Sequence, residues 1–517
     1  MPSSRPHAGT AEVASKVASR RAPTGVRGLD EVLGGGLPRD RLYLVDGEPG
    51  TGKTTLALQF LLEGAARGER GLYVTLSETA EELHAAADSH GWSLAGIEVF
   101  ELSAAAADEP EEAYTLFHPA EVELQQTVGT VLEAVERYRP RRAVFDSLSE
   151  MRLLARDPLR FRRQILALKQ FFVGRECTAL LLDDRTGPEG DLQLQSLAHG
   201  VIALEHVAME YGAERRRLQV KKLRGVPFRG GYHDFCIRTG GLEVFPRLLH
   251  GESVADAHPG ELASGSEAID ALLGGGVARS TSVLVTGAAG TGKTVLCTQY
   301  AQAALARGER VRIYLFDERV PTFRLRAAGL GLDVADAIGD GRLVLRQVEP
   351  TELSPGEFAC EVMRAVADDG VSVVVIDSIN GYLQSMPAER LLALQLHELL
   401  SLLATRGVTT FMTLVQRGVF GGPVEAAVDV SYLADVVILL RYFELAGAVR
   451  QAISVVKKRT GDHERTIREY RVEPGGLRVG GPLHEFRGVL TGVPEYTGGP
   501  APLMGRAAGP RAEDDGG

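Results

Sequence analysis

Short apolar runs of strand length alternate along the chain with segments whose apolar residues recur at helical spacing. In the first half, LYLVDG (42–47) ends in a glycine-rich loop, and TTLALQFLLEGAARG (54–68) follows with helical spacing and a glycine near its end. The later runs GLYVTL (71–76), RAVFDS (142–147) and TALLLDD (178–184) are typical of parallel strands covered on both faces. Strands that alternate with helices predict an α/β fold with doubly wound, mostly parallel sheets.

The same pattern occurs twice. The motif GEPGTGKTT begins at Gly47, and GAAGTGKTV begins at Gly287, 240 residues later. Further pairs follow in the same order, among them AVFDS with VVIDS, and QVKKLRG (219–225) with SVVKKRT (454–460). A series of matches in one order indicates an internal duplication. We therefore predict two tandem copies of one α/β module.

Composition suggests where the two copies begin and end. We expect the first domain at 23–248 and the second at 263–490, joined by a polar, aperiodic linker at 249–262. The terminal stretches 1–22 and 491–517 are rich in small residues and proline, and we expect both to be disordered.

Each copy has the pattern GxxxxGK[ST] directly after an apolar strand. Glycines let successive backbone N–H groups curl around a phosphate, and the following helix points its positive N-terminus at the same anion. Lys53 and Lys293 are expected to reach the β- and γ-phosphates of ATP. The alternative is an ordinary glycine-rich turn. The expected ATP-binding residues are Gly47, Glu48, Pro49, Gly50, Thr51, Gly52, Lys53, Thr54 and Thr55, and in the second copy Gly287, Ala288, Ala289, Gly290, Thr291, Gly292, Lys293, Thr294 and Val295.

A magnesium site is predicted beside each loop. The hydroxyl groups of Thr54 and Thr294 follow the lysines and are expected to bind Mg²⁺ directly. Asp146 and Asp377 end apolar strands, and each is expected to hold the ion through water.

Hydrolysis also needs a group that orients or deprotonates water. The end of the strand after the glycine-rich helix is the natural position, and there the copies have Glu78 and the pair Asp317 and Glu318. We predict that these acids are catalytic. The alternative is that they only cap the next helix.

Each copy has a basic run near its end, and the two runs together contain four of the eight lysines of the chain. Strand alternation places Lys222 and Arg224 on one face, and likewise Lys457 and Arg459. We predict that these cations act on the γ-phosphate bound by a neighbouring subunit, in the manner of an arginine finger. The alternative is a cationic strand edge that prevents aggregation.

Composition excludes several classes of protein. A net charge of −11 disfavours a basic nucleic-acid-binding protein. The four cysteines lie far apart without a CxxC pair, which argues against a disulfide framework or zinc knuckle and predicts a cytoplasmic protein. The chain has no apolar run long enough for a membrane helix and no secretory signal, so we expect no membrane association.

The GGGLP, GTGKT and KKLRG motifs, the acids after the second strand, and the stretch from SYLADVV onward resemble the KaiC family of clock ATPases over about residues 22–490. The resemblance implies two RecA-like P-loop NTPase domains that form a double-ring homohexamer, with ATP between subunits. It also implies slow hydrolysis in the first ring and autophosphorylation in the second, at a pair that aligns with Ser431 and Tyr432. The resemblance further implies a KaiB-like or other signalling protein as a binding partner.

The chain departs from the family pattern at several positions. Ser77 replaces the first glutamate of the acidic pair in the first copy, and Asp317 replaces it in the second. Tyr432 stands where the family has the threonine of its phosphorylated pair, and the C-terminal tail bears no likeness to the family tail. These departures favour a simpler signalling ATPase over a three-protein clock.

Three functions are compatible with these patterns. The first is a hexameric ATPase and serine/threonine autokinase that modifies Ser431, for which the alternative is a hydroxyl without chemistry. The second is a nucleotide-gated signalling ATPase or scaffold without kinase activity. The third is a RecA/RadA-type DNA-dependent ATPase, suggested by the arginine-rich segment 152–163. An arginine-studded amphipathic helix face is the favoured explanation of that segment, and the acidic net charge also disfavours DNA binding.

Overall fold

The structure is a computed structural model of the chain. It describes residues 20–102, 119–155, 157–185, 192–209, 212–249, 260–332, 334–384, 391–416, 431–445, 447–489 and 495–497. The chain divides into two compact units, residues 1–247 and 248–517. Most of the predicted N-terminal arm, linker and C-terminal tail lies outside the described residues.

The first unit contains eleven strands and seven helices within its described residues. The strands are β1 (Arg21–Ala22), β2 (Leu37–Pro38), β3 (Leu42–Gly47), β4 (Gly71–Thr75), β5 (Ile97–Glu101), β6 (Arg142–Asp146), β7 (Thr178–Asp183), β8 (Gly200–Val207), β9 (Arg215–Leu223), β10 (Tyr232–Arg238) and β11 (Gly241–Phe245). The helices are α1 (Leu29–Val32), α2 (Lys53–Ala66), α3 (Ala80–Ser89), α4 (Pro119–Tyr138), α5 (Leu148–Ala155), α6 (Pro158–Phe172) and α7 (Leu192–Leu197).

The described residues of the second unit repeat this order of elements with small additions. The strands are β12 (Glu261–Leu262), β13 (Val277–Ala278), β14 (Ser282–Gly287), β15 (Val311–Leu315), β16 (Leu343–Gln347), β17 (Val373–Asp377), β18 (Thr409–Val415), β19 (Val436–Leu445), β20 (Ala448–Lys458), β21 (Arg468–Glu473), β22 (Gly476–Pro482), β23 (Phe486–Arg487) and β24 (Glu495–Tyr496). The helices are α8 (Glu267–Leu272), α9 (Lys293–Ala306), α10 (Val320–Gly329), α11 (Ala335–Gly339), α12 (Pro355–Asp369), α13 (Ile379–Gln384) and α14 (Leu392–Thr405), and a 3₁₀ turn spans Ser431–Leu433.

A nine-stranded sheet forms the centre of each unit. The strand order is β11-β10-β9-β8-β3-β7-β6-β4-β5 in the first sheet and β16-β15-β17-β18-β14-β19-β20-β21-β22 in the second. The pairs from β8 to β5, and from β16 to β19, are parallel. The remaining strands of each sheet extend it in antiparallel pairs. The predicted fold of two doubly wound, mostly parallel α/β domains is therefore confirmed.

The central strands are apolar because both of their faces are covered. Along β3, Tyr43 and Val45 belong to one hydrophobic cluster, whereas Leu42 and Leu44 belong to another on the opposite face. The same division occurs on β14, where Val283 faces one cluster and Leu284 the other.

No helix among the described residues is long and apolar enough to cross a bilayer. All four cysteines lie in described segments and are free thiols. Burial raises the pKa of the Cys177 thiol to about 12, so that thiol stays protonated near neutral pH.

An arginine is buried in the first core. Arg142 at the start of β6 is fully buried, and its guanidinium pairs with Glu69 at 2.5 Å. It also donates to the carbonyl oxygens of Pro23 and Phe60 at 2.7 Å each. A buried charge is tolerated only when it is paired and hydrogen-bonded, as it is here.

Space for this arginine comes from a glycine in α2. A β-carbon at Gly64 would lie 2.5 Å from the Cδ atom of Arg142, which is closer than unbonded carbons approach. In the second copy Val373 begins the equivalent strand, and Ala304 stands at the equivalent helix position. One core thus combines a large residue with glycine, and the other combines two residues of intermediate size.

We expect Gly64→Ala and Arg142→Val each to destabilise the first unit, by about 1–3 kcal/mol for overpacking and about 3 kcal/mol for the lost arginine. The double variant should lose at least about 1 kcal/mol less than the sum, because valine leaves room for the new methyl group. Urea titration followed by the fluorescence of Trp92 measures this, since it is the single tryptophan of the chain.

The control for this cycle is Ala304→Gly in the second unit. It changes the equivalent helix position and should leave the Trp92 transition unchanged. Strictly additive effects of the two first-unit substitutions would contradict the proposed packing relation.

Candidate functional site

The first glycine-rich loop connects β3 to α2, and its glycines permit its shape. Gly50 and Gly52 have φ angles of 79° and 96°, in the left-handed region that other residues rarely adopt. Gly47 packs so closely that a β-carbon would lie 2.8 Å from the carbonyl oxygen of Leu204. Glycine is therefore required for both conformation and close packing.

Lys53 begins α2 and is buried beneath the loop. Its ammonium group donates to the carbonyl oxygens of Gly47 at 2.8 Å and Glu48 at 2.9 Å. It also forms an ion pair of 2.7 Å with Asp184, which follows β7. The lysine thus faces the hollow of the loop, where the phosphates of a nucleotide would lie.

The second loop, between β14 and α9, has the same geometry. Gly290 and Gly292 have φ angles of 80° and 89°. Lys293 donates to the carbonyl oxygens of Gly287 at 3.0 Å and Ala288 at 2.7 Å. Burial lowers the pKa of the Lys293 ammonium, and the charge of Asp377 opposes that change.

The residues predicted to bind Mg²⁺ meet in the first unit. Thr54 Oγ1 donates to Asp146 Oδ2 at 3.2 Å, and the Tyr73 hydroxyl donates to the same oxygen at 2.5 Å. Burial raises the pKa of the Asp146 carboxyl, and these hydrogen bonds oppose the rise. A hydroxyl beside one carboxylate fits Mg²⁺, because such sites complete its coordination with phosphate oxygens and water.

The corresponding residues of the second unit lie at the same end of its sheet. Thr294 is the second residue of α9, and Asp377 ends β17. Asp377 accepts a hydrogen bond from Thr413 on the neighbouring strand. In the described parts of both units, no group of three or more Asp, Glu, His or Cys side chains is placed to hold a metal alone.

Glu78 follows β4, which pairs with β6 so that Thr75 lies beside Asp146. The helix cap is another residue, since Thr79 and Glu82 form a capping box at the start of α3. Burial raises the pKa of the Glu78 carboxyl, and the nearby charge of Asp146 adds to the rise. Helix capping therefore does not explain Glu78, and its catalytic role stays a prediction.

The acids of the second copy are held by other side chains. Glu318 forms an ion pair of 2.7 Å with Arg326 on α10, and Asp317 accepts a hydrogen bond from Ser378. Burial raises the pKa of the Glu318 carboxyl, although the charge of Arg326 opposes that rise. These partners distinguish the second site from the first.

In the first unit the predicted trans-acting cations bind carbonyl oxygens at the C-terminal end of α7 and just after it. Lys222 Nζ donates to the carbonyl oxygens of Gln195 at 2.6 Å and Ala198 at 2.7 Å. Arg224 donates to the carbonyl oxygen of Ser196 at 3.0 Å. The two side chains therefore share a target, as expected for one face of a strand.

The second unit has the same arrangement around Ser431. Lys457 Nζ donates to the carbonyl oxygens of Ser431 at 3.1 Å and Ala434 at 2.7 Å. Arg459 donates to the carbonyl oxygen of Tyr432 at 2.9 Å and pairs with Asp435 at 3.3 Å. Ser431 itself is exposed and opens the 3₁₀ turn before β19.

Ser431 and the basic residues are remote from the loop of their own unit. β14 and β19 run parallel, with Val283 beside Val436 and Gly287 beside Leu440. The loop leaves the carboxyl end of β14, whereas Ser431 precedes the amino end of β19. At about 3.3 Å per residue, the strand alone separates them by about 13 Å. The same register in the first sheet places Lys222 away from Gly47.

The arginine-rich segment 152–163 is partly explained by packing. Arg152 pairs with Asp183 at 2.9 Å, and its guanidinium lies 5.1 Å from the ring centre of Phe161. Arg156 lies outside the described residues. These contacts favour the amphipathic-helix explanation over a DNA-binding loop.

Sequence reasoning missed several residues of the two sites. Asp184 contacts the first lysine, Tyr73 contacts Asp146, and Arg326 contacts Glu318. The acidic doublet that ends TALLLDD was a usable signal, because polar residues at the carboxyl ends of parallel strands gather at one edge. Nothing in the local sequence around Tyr73 or Arg326 indicated their partners.

Comparison with known proteins agrees with the duplicated site. A family model described as "ATPase: KaiC" matches residues 22–248 and 262–484. The circadian clock protein KaiC3 of Synechocystis sp. is 28% identical over 482 residues, which cover 92% of this chain and 94% of that protein. The circadian clock oscillator protein KaiC of Acaryochloris marina is 26% identical, with 93% and 92% covered. With both of its glycine-rich loops inside the matched segments, the chain belongs to the KaiC family of ATPases.

Proposed function

We propose that this KaiC-family ATPase is a homohexamer that binds ATP with Mg²⁺ at both loops and transfers phosphate to Ser431. The observation that carries the proposal is the separation of each loop from the cations and hydroxyl of its own unit. A neighbouring chain that presents these groups to the loop would complete the site.

Ring assembly supplies that arrangement. In a ring with a head-to-tail interface, the carboxyl edge of one sheet meets a different surface of the next subunit. Lys457 and Arg459 would then meet the γ-phosphate bound by the neighbour, and they would carry Ser431 with them because they bind its turn. Lys222 and Arg224 would act equivalently in the first ring.

The transfer step follows the usual chemistry of phosphoryl transfer. The Ser431 hydroxyl oxygen forms a bond to the γ-phosphorus while the bond to the β-phosphate oxygen breaks, and ADP leaves. Asp317 and Glu318 follow β15 at the loop end of the sheet, so they are the proposed acceptors of the hydroxyl proton. The basic residues stabilise charge on the transferring group, and Mg²⁺, when bound, neutralises the phosphate oxygens.

Hydrolysis in the first ring would depend on Glu78. Ser77 is exposed and has no carboxylate, so Glu78 is the acid left at that strand end to orient water. Its raised pKa suits a group that accepts a proton near neutral pH. A KaiB-like or other signalling partner stays a prediction.

A signalling ATPase without kinase activity is the second candidate. Tyr432 is 54% exposed and follows Ser431 directly, so a bulky ring stands where the family has a small threonine. The ion pair between Glu318 and Arg326 also opposes the rise in the pKa of Glu318 that burial causes, and it occupies that carboxylate. Both observations bear on transfer to Ser431, and neither affects ATP binding.

We expect Lys53→Ala and Lys293→Ala each to remove ATP binding at one site only, because each ammonium serves its own loop. Calorimetric titration should show binding falling from two nucleotides per chain to one, with affinity at the altered site reduced at least about tenfold. Phosphate on Ser431 should disappear only in Lys293→Ala. The double variant provides the baseline without ATP binding at either site. Loss of ATP binding at both sites in either single variant would contradict the assignment of one lysine to each site.

Phosphorylation is tested by incubation with ATP and peptide mass spectrometry. We expect phosphate on Ser431, none in Ser431→Ala, and an undiminished signal in the matched control Tyr432→Phe, since the tyrosine hydroxyl is not the acceptor. ATP hydrolysis that persists without any phosphate on Ser431 would favour the second candidate.

Transfer between subunits is tested by mixing two inactive chains. Lys293→Ala cannot bind ATP in the second ring, and Lys457→Ala cannot supply the cation. In rings assembled from equal amounts, about a quarter of the interfaces combine an intact loop with an intact Lys457. Phosphate should therefore reappear on the Lys293→Ala chain, the one that cannot bind ATP there. Because the Ser431 peptide has the same sequence in both chains, the Lys293→Ala chain is produced with a heavy nitrogen isotope, so that mass spectrometry assigns the phosphopeptide to its chain. Phosphate confined to the Lys457→Ala chain would indicate transfer within one subunit.

A further inference from the structure

The first loop has a carboxylate that the second lacks. Asp184 Oδ1 lies 2.7 Å from Lys53 Nζ, and the carboxylate is 26% exposed. Its other oxygen accepts a hydrogen bond from Ser149 Oγ at 3.1 Å, and its backbone N–H donates to that hydroxyl at 3.1 Å. The carboxylate is thus held on the lysine by a second anchor on α5.

The second unit has equivalent hydrogen bonds from its helix to this position, but the residue there is not charged. Asn380 on α13 donates to the carbonyl oxygen of Val415 at 3.1 Å and accepts from its backbone N–H at 2.6 Å. Ser149 and Asn380 each lie three residues after the strand-ending aspartate, so Val415 stands where the first unit has Asp184. In the described part of the chain, no ion pair includes Lys293.

This difference bears directly on nucleotide binding. A P-loop lysine binds the β- and γ-phosphates, and a phosphate oxygen on Lys53 would lie about 4–5 Å from the Asp184 carboxylate, because both would contact one ammonium group. Burial opposes ionisation of Asp184, but the hydrogen bond and charge of Lys53 outweigh it and lower the pKa of that carboxyl. The Asp184 carboxylate is therefore negatively charged at neutral pH.

We infer that Asp184 determines the nucleotide preference of the first site, by competing with the terminal phosphate of ATP for Lys53. The inference rests on the proposed function, since it assumes that ATP binds at both loops. The carboxylate should weaken the binding of ATP more than the binding of ADP, because the γ-phosphate brings additional negative charge beside it. The first site would then favour ADP relative to the second site, which has only Val415 at this position.

The test is a reciprocal exchange in the full-length chain. Asp184→Val and Asp184→Asn are made with the second site silenced by Lys293→Ala, and Val415→Asp with the first site silenced by Lys53→Ala. Calorimetric titration with a non-hydrolysable ATP analogue and with ADP, each with Mg²⁺, gives both affinities. Asp183→Asn is the matched control, because it removes a carboxylate one residue away that pairs with Arg152 instead.

We expect both Asp184 variants to tighten binding of the ATP analogue at the first site about tenfold or more, with a smaller change for ADP. Val415→Asp should weaken the analogue at the second site by a similar factor, and Asp183→Asn should leave the ratio of the two affinities unchanged. The asparagine variant keeps the hydrogen bond to Ser149, so it separates the effect of charge from a loss of local structure.

Two failures are distinguishable. Unchanged or weaker binding of the analogue in both Asp184 variants, at a first site that binds nucleotide normally before substitution, would overturn this inference and leave the proposed function intact. Absence of nucleotide binding at both unaltered sites would overturn the proposed function and the inference together.

Discussion

Strand direction decides which groups can meet within one copy of this chain. The glycine-rich loops, the strand-end aspartates and the acids Glu78 and Glu318 all lie at the carboxyl ends of parallel strands. Ser431 and Lys457 lie at the amino end of β19, where the antiparallel extension of the sheet returns. A single chain thus presents these two sets of groups at different edges of its sheet. The function proposed for the chain is, for this reason, inseparable from its assembly.

The two sites share a backbone and differ in charge. Both loops hold a lysine on their own carbonyl oxygens with nearly the same distances. Around this common frame, the first site has Asp184 on its lysine, whereas in the second site Arg326 forms an ion pair with Glu318. The two copies have equivalent loop backbones and lysine contacts. A few side chains outside the motif make the electrostatics of the two sites different.

Much of this arrangement could be predicted because it is local or periodic. The apolar runs predicted the strands, and the motifs predicted the two loops, their lysines and Asp146. The contact of Asp146 with Thr54 follows from the sheet order, in which β7 lies between β3 and β6. The contacts of Arg326, Tyr73 and Asp184 depend on the distance and register between elements, which no local pattern encodes. The helix cap was ambiguous for a different reason, because several residues after β4 were chemically suited to it.

The paired replacement of Gly64 and Arg142 by Ala304 and Val373 limits how the repeats can exchange sequence. A chimeric chain that received α9 in place of α2 would place a methyl group against the buried guanidinium. Gene conversion that copied α9 over α2 without its partner strand would create the same collision, whereas the reverse copy would leave unfilled space beside Val373. Although the duplicated motifs indicate a common ancestor, the helix and the strand of each half are now matched at this position. A sequence exchange between the halves must therefore include both residues of the pair.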